Sequence, residues 1–261
     1  MNRTLKGLLL VLVFLGVWEF ISRSKLIDTL LLPPPSSVLF RGWVLFSKGE
    51  LWGHIGASLW RVLLGFVLAI VFSLPLGVIL GLYPKVAEYF DPLLQLFRPL
   101  APPAWIPLAI LWFGIGDRAA IFIIFIGTVF SMLLGIMGAT KRVNKDLVKV
   151  GFTLGADWRK AVFYIVLPSI APFVFTQLRI GLALSWMCVV ASEMVAVERG
   201  IGFMMIEARN LFRTEDVLLG MGVVGGLGYG IDLMIRQIEH KVLRWTKGLM
   251  AHELFEDHRT L

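Results

Sequence analysis

Apolar runs about twenty residues long decide what this chain can fold into. The hydrocarbon core of a bilayer is ~30 Å thick and takes about 20 apolar residues to cross as a helix. Six such stretches occur, near 5–22, 62–83, 92–114, 119–139, 170–196 and 216–237. Hydrocarbon offers no water to backbone N–H and C=O groups, so a crossing segment must close its hydrogen bonds internally, as a helix does. The expected fold class is therefore an all-α polytopic membrane protein with six transmembrane helices. Composition agrees: 57% of the 261 residues are hydrophobic and 16% are charged, against about 25% charged in soluble domains.

The net charge is +7. In a soluble domain that would suggest nucleic acid. Here the cations are better read as residues retained at the cytoplasmic ends of spans, and no nucleic-acid partner is expected. With the N-terminus inside, inner segments hold fourteen of the 25 Lys and Arg and outer segments nine, with Arg98 and Arg179 inside spans. This predicts cytoplasmic N- and C-termini. "MNRTLKGLLLVLVFLGVWEF" has the cations and apolar run of a signal peptide but no small-residue cleavage site, so it reads as an uncleaved first span. Cys188, the single cysteine, lies in an apolar run and reads as a buried, inert thiol. The final "HELFEDH" lacks the HExxH spacing, so no metal site is expected.

Three polar interruptions organise the chain. After Pro33-Pro34-Pro35, with Ser36 or Ser37 as cap, Val38, Leu39, Trp43, Leu45 and Phe46 predict a short interfacial helix. Ile201, Met204, Met205, Ala208 and Leu211 have helical spacing in a later loop, and Thr214 is placed to cap the last span. Gly222, Gly226 and Gly230 recur every four residues there, as Gly77 and Gly81 do in the second span. Such rows let helices approach closely, within one subunit or between two.

The third interruption is "GFTLGADWRKAVFYIVLPS", residues 151–169. Asn144 is a good N-cap with Asp146 in the first turn, which predicts a helix to about Thr153. Gly155 can take the left-handed conformation that ends it. Asp157 then caps a second helix from Trp158 to about Ile165, and Leu167-Pro168 disfavours its continuation. Leu147, Val150, Phe152, Leu154, Phe163 and Ile165 are too apolar for a free loop. Either the chain's own spans cover this hairpin or a soluble partner does.

The run "LGADWRKAVFYIVLPSIAPFVFTQLRIGLALSW" resembles the cytoplasmic EAA-type loop of ABC importer permeases, with Gly155 and Leu167-Pro168 matching its Gly and Leu-Pro. "LLQLFRPLAPPAWIPLAILWFGIGD", "ASEMVAVERGIGFMM" and "IRQIEHKVLRW" resemble the nitrate, sulfonate, taurine and bicarbonate branch. The chain departs where it has "LVKVGFTLG" in place of the family's acid and two alanines. The resemblance implies a type I importer permease fold, with a coupling-helix hairpin between transmembrane helices 4 and 5. It implies an N-terminal helix and outer segment over 1–60, a permease core over 61–240 with its coupling loop at 140–169, and a cytoplasmic tail over 241–261. It implies a cytoplasmic ATPase dimer, a second permease subunit and an extracytoplasmic binding protein as partners, in the inner membrane of a bacterial cell. Gly151, Thr153, Leu154, Gly155, Ala156, Asp157 and Trp158, with Leu167 and Pro168, would form the ATPase contact. No G-x-x-x-x-G-K-[ST] occurs, so the chain has no P-loop. ATP and Mg would be used by the partner, and the chain itself would bind no cofactor and be no enzyme.

Ionisable residues within spans are costly and are functional candidates by default. Arg98, Arg179 and Glu193 qualify. Two arginines facing a wet cavity would suit an oxyanion; alternatively each pairs with a carboxylate. Glu193 could pair with Arg118 or Arg199, or meet the binding protein. "RPLAPPAWIP" has four prolines in ten residues, and irregular backbone at membrane depth survives only when buried in protein or lining a cavity. Pro102 and Pro103, with Trp105 and Trp112, are therefore expected on the translocation pathway, and Met187 and Ser192 near the gate. No clustered His, Asp or Glu marks a membrane enzyme. A secondary transporter or channel would more often carry internal repeats and mid-membrane carboxylates.

Overall fold

A computed structural model describes residues 3–24 and 27–243. They are helical, with no strand among them: α1 (Arg3–Arg23), α2 (Pro35–Ser47), α3 (Glu50–Leu82), α4 (Pro84–Phe97), a 3₁₀ turn (Pro102–Trp105), α5 (Ile106–Phe113), α6 (Asp117–Lys141), α7 (Lys145–Thr153), α8 (Trp158–Ala161), α9 (Leu167–Ala196), α10 (Ile201–Asn210) and α11 (Thr214–Val242). The five residues Val162–Val166 are π-helical, a single widened turn that joins α8 to α9. Among the described residues four helices are long and apolar enough to cross a membrane: α3, α6, the continuous Trp158–Ala196 and α11. A fifth crossing is counted if α4 and the Pro102–Phe113 segment, bent by 87°, form one broken span.

The third apolar stretch is thus no regular helix, as its prolines predict, and its helical part begins earlier than expected, at Pro84. The second stretch, 62–83, is the latter part of a 33-residue helix, which at 1.5 Å per residue is about 50 Å long and exceeds the ~30 Å hydrocarbon core. Arg61 is therefore helical and not in a loop. Two capping expectations are corrected. α2 starts at Pro35, whose fixed φ suits a first helical position, and Ser36 instead bonds Glu19 of α1 through its hydroxyl (2.8 Å) and N–H (3.1 Å). Thr214 is the first residue of α11, and its hydroxyl donates to the Leu30 carbonyl at 2.5 Å.

The residues divide into two units, and the division cuts through α3, α6, α9 and α11. One unit contains residues up to 63, 105–123 and 187–227. Its core joins Leu45, Leu51, Ile201 and Met204 with Leu219 and Val223. Val38 and Leu45 of α2 are buried while Leu39, Trp43 and Phe46 are exposed, so the five apolar residues of the expected interfacial helix divide between core and surface. Arg41 of α2 pairs with the buried Asp216 of α11 through Nε at 2.7 Å and Nη2 at 3.1 Å. That bond raises the Arg41 pKa above its ordinary value.

The other unit contains 64–104, 124–186 and the residues from 228 on. Leu80, Ala87, Leu94, Leu133 and Met137 form one core and Val78, Ile136, Ala139 and Ile170 another. Here the glycine row of α3 meets α6. A Cβ on Gly77 would lie 2.9 Å from the Ile136 side chain, and one on Gly81 would lie 3.1 Å from the Met137 carbonyl and press on Thr140. The row in α11 differs: a Cβ on Gly222, Gly226 or Gly230 would meet nothing within 4 Å. That row does no packing within the described chain.

Gly81→Val should lower the thermal midpoint of the purified chain, since overpacking costs about 1–3 kcal/mol, while Gly226→Ala should leave it unchanged. A thermal melt of both variants in detergent checks the contrast; equal effects would contradict the packing described.

Candidate functional site

The hairpin folds as its capping residues predict. Asn144 Oδ1 accepts from the Asp146 N–H at 2.8 Å and begins α7. At its end the Gly155 N–H donates to the Phe152 carbonyl and the Ala156 N–H to the Gly151 carbonyl, both at 3.0 Å. This double closure requires a left-handed residue, and Gly155 has φ +85°. Asp157 Oδ1 then accepts from the Lys160 N–H at 2.9 Å and begins α8. Gly151 admits the Ile165 side chain where a Cβ would block it, and this closes the two arms. Phe152 stacks on Trp158 at 6.1 Å and 8°, and Trp158 tilts onto Tyr83 at 5.6 Å. The Thr153 hydroxyl is turned back onto the Val150 carbonyl at 2.8 Å.

The expected stop at Leu167-Pro168 does not occur. Helix continues from Trp158 to Ala196. The reason is the π turn Val162–Val166: proline lacks an N–H and clashes with the carbonyl four residues back, and a widened turn just ahead gives that carbonyl room. Leu167 packs beside the Val78–Ile170 core, and Pro168 is half-buried.

The hairpin's apolar residues divide into two sets. Phe152 and Ile165 work inside it. Leu147, Val150 and Leu154 fall at i, i+3 and i+7 of α7 and its cap, one stripe, and all three are exposed, Leu154 at 83%. Phe163 and Tyr164 are exposed too. The chain's own spans leave this stripe uncovered.

Glu193 is fully buried, and its partner is neither Arg118 nor Arg199. Arg61 Nη1 bonds it at 2.6 Å, Ser58 Oγ at 2.8 Å and the Gly202 N–H at 2.9 Å. Arg61, 4% exposed, also bonds Asp117 through Nε at 2.8 Å and the Arg199 carbonyl through Nη1 at 2.5 Å. A carboxylate so enclosed has no surface for a docked protein. Gly200, at φ +144°, lies against it where a Cβ would collide, and His54 Nδ1 sits 2.9 Å from the Gly200 carbonyl and 3.2 Å from its nitrogen.

Arg179 pairs with Asp232 at 2.7 Å, and Arg236 binds the same carboxylate at 2.9 Å. Arg98 caps α4 and lines an open cleft with Asp91, Leu94, Gln95, Pro99 and Leu134. Pro102 and Pro103 lie in the 3₁₀ turn. Trp105 and Trp112 both pack edge-on to Phe122, at 6.3 and 5.8 Å. Met187 is exposed. Ser192 is buried, with its hydroxyl donating to the Val189 carbonyl at 2.9 Å. Cys188 is buried, as expected. The sequence reading missed Arg61, Ser58, Asp117 and Asp232. Asp232 was detectable, as an acid inside the sixth apolar stretch; Arg61 was hidden by its place just before the second. Residues 244–261, including "HELFEDH", lie outside the described residues.

A family described as binding-protein-dependent transport system inner membrane component matches residues 73–243. The chain is 33% identical to the taurine transport system permease protein TauC of Escherichia coli strain K12, over 89% of this chain and 86% of that one. It is 30% identical to the putative aliphatic sulfonates transport permease protein SsuC of Bacillus subtilis strain 168 (92% and 87%). It is 32% identical to the bicarbonate transport system permease protein CmpB of a Synechocystis strain (88% and 85%). Two crystal forms of the methionine ABC transporter MetNI in inward-facing conformations share the fold, at TM-scores of 0.66 and 0.67 and 19% and 18% identity. They cover 74% and 75% of this chain and 95% and 98% of theirs.

Arg61→Ala should destabilise the protein by about 3–5 kcal/mol, because it strands a buried carboxylate. Asp117→Ala, at a carboxylate that is 55% exposed, should cost far less. Replacing Arg61 and Glu193 together by Met and Leu should recover most of the loss. Denaturation midpoints of the three variants check this; a double replacement no more stable than Arg61→Ala would sink the buried-pair account.

Proposed function

The chain belongs to the family of binding-protein-dependent transport system inner membrane components, and on that premise we propose that it imports a small oxyanion by alternating access, driven through its Lys145–Ser169 hairpin. It is a multi-pass permease subunit of an ABC importer. The rest of this reading concerns what surrounds it. A cytoplasmic ATPase pair, using ATP and Mg, holds the hairpins of two permease copies. A binding protein delivers cargo from the other side. Both termini face the cytoplasm, and the membrane is the inner membrane. ATP is hydrolysed on the partner and not on this chain.

One observation carries the coupling role. The hairpin's corner is capped on both sides, yet the hairpin leaves Leu147, Val150 and Leu154 exposed as one apolar stripe. An apolar row on a fixed helix is the usual form of a helix-in-groove contact. Gly155, Ala156, Asp157 and Trp158 set the angle at which that row is presented. The cargo class is supported by the relatives named for taurine, aliphatic sulfonates and bicarbonate, whose shared chemistry is an oxyanion. Arg98 suits that class, since guanidinium binds oxyanions through two parallel hydrogen bonds. Arg179 does not offer the same opening, because Asp232 occupies it. The broken segment through Pro102 and Pro103, with Trp105 and Trp112, is proposed to line the route.

Gly155→Val forces a β-branched residue into the left-handed corner, at a cost of about 1–2 kcal/mol. Leu154→Glu puts a charge in the proposed contact and leaves the corner intact. Both variants are expected to insert normally and to retain less than about a tenth of the co-purifying ATPase, a loss that corresponds to ~1.4 kcal/mol of binding. Full ATPase recovery from both, measured by quantitative mass spectrometry, would overturn the coupling role.

A further inference from the structure

The exposed row on α7 is bracketed by cations that have no acid. Lys141 and Arg142 precede α7, and Arg159 and Lys160 follow the Gly155 corner in α8; all four are exposed. No carboxylate among the described residues is within ion-pair distance of any of them. The hairpin's own acids are engaged elsewhere: Asp146 pairs with Lys149 at 2.9 Å, and Asp157 Oδ1 accepts from the Lys160 N–H. By helical spacing Lys145 and Lys149 fall across α7 from Leu147, Val150 and Leu154. The hairpin thus presents an apolar strip about 10 Å long with positive charge at either end.

One segment of the chain has the complementary pattern. Past Glu239 its acids are Glu253, Glu256 and Asp257, set on both sides of Leu254 and Phe255. The described helices fix where that segment is attached. Arg179 of α9 pairs with Asp232 of α11 at 2.7 Å, and a Cβ on Gly228 would lie 3.6 Å from the Trp186 side chain. The higher number on α9 meets the lower on α11, so the two helices run antiparallel here. Leu167 begins α9 about 18 Å from Arg179, and Val242 ends α11 about 15 Å from Asp232. Hairpin and tail therefore start at the same end of the pair and at nearly the same level. Residues 243–254 give up to about 40 Å of reach, while the Gly155 corner lies roughly 18 Å from Leu167 along the helical path.

We infer that residues 252–258 of this same chain dock on the hairpin while its ATPase is absent. Leu254 and Phe255 cover Val150 and Leu154, and the three carboxylates meet the bracketing cations, with Arg159 and Lys160 nearest the corner. This rests on the coupling reading and adds regulation to it: one strip cannot hold tail and ATPase together, so the incoming ATPase displaces the tail. Tethering raises the tail's effective concentration to about 1 mM. A contact with a dissociation constant of about 0.25 mM then keeps the strip covered roughly four-fifths of the time, a roughly fivefold loss of access. Attraction between exposed charges is screened by salt, so the cover is lost as ionic strength rises.

The test uses the full chain with Leu154→Cys, in membranes that lack the ATPase, and a water-soluble maleimide. The native Cys188 is buried, so labelling reports on the strip. Glu253→Lys, Glu256→Lys and Asp257→Lys together should raise the labelling rate about fivefold. Leu254→Ser with Phe255→Ser, which leaves the tail's charge unchanged, should do the same. Adding Arg159→Glu and Lys160→Glu to the charge-reversed tail should restore protection. A labelling rate that neither tail variant raises would overturn the docking. A charge-reversed tail that still protects, or that the swapped hairpin does not rescue, would overturn the match of charges on which it stands. Purified ATPase added to the charge-reversed chain checks the coupling reading separately: if the introduced thiol stays as reactive as before, that reading fails and the tail result stands.

Discussion

Arg61 is 4% exposed, and its guanidinium bonds partners from three other segments. Its guanidinium joins α3 to Glu193 of α9, to Asp117 at the start of α6 and to the carbonyl of Arg199 just before α10. Glu193 in turn takes Ser58 and the Gly202 N–H. Four segments distant in sequence are registered by one buried pair. Taking two such charges out of water costs several kcal/mol per ion, repaid only if nearly every donor and acceptor finds a partner. The tight glycine contacts follow from that demand: Gly200 and Gly202 bring backbone against the carboxylate where side chains would collide.

In the other unit the organising constraint is backbone, not charge. Proline recurs there at Pro92, Pro99, Pro102 and Pro103, and each removes a donor. The chain answers with a 3₁₀ turn and an 87° bend in α4–α5. At Pro168 it answers differently, with a π turn that preserves the helix. The same residue type breaks one span and is absorbed by another, according to how many prolines fall within a turn.

The fold was largely legible in the sequence because membrane crossing is decided by length and hydropathy, which are local. The hairpin was legible because Asn144, Gly155 and Asp157 act on backbone groups within a few residues of themselves. Glu193 was recognised as important and its partner was not, because pairing depends on which helix lies alongside, information that no local pattern carries. Arg61 shows the same limit: it stands one residue before an apolar run, where lysines and arginines commonly end spans. The uncovered glycines of α11 were visible as a row, but whether anything packed on them required the structure.

The π turn also has a mechanical meaning. Because Pro168 does not interrupt the helix, the 39 residues from Trp158 to Ala196 form one rod, about 58 Å long at 1.5 Å per residue. That is nearly twice the ~30 Å hydrocarbon core, so a helix that Pro168 would have cut to membrane length instead has turns to spare outside the apolar layer.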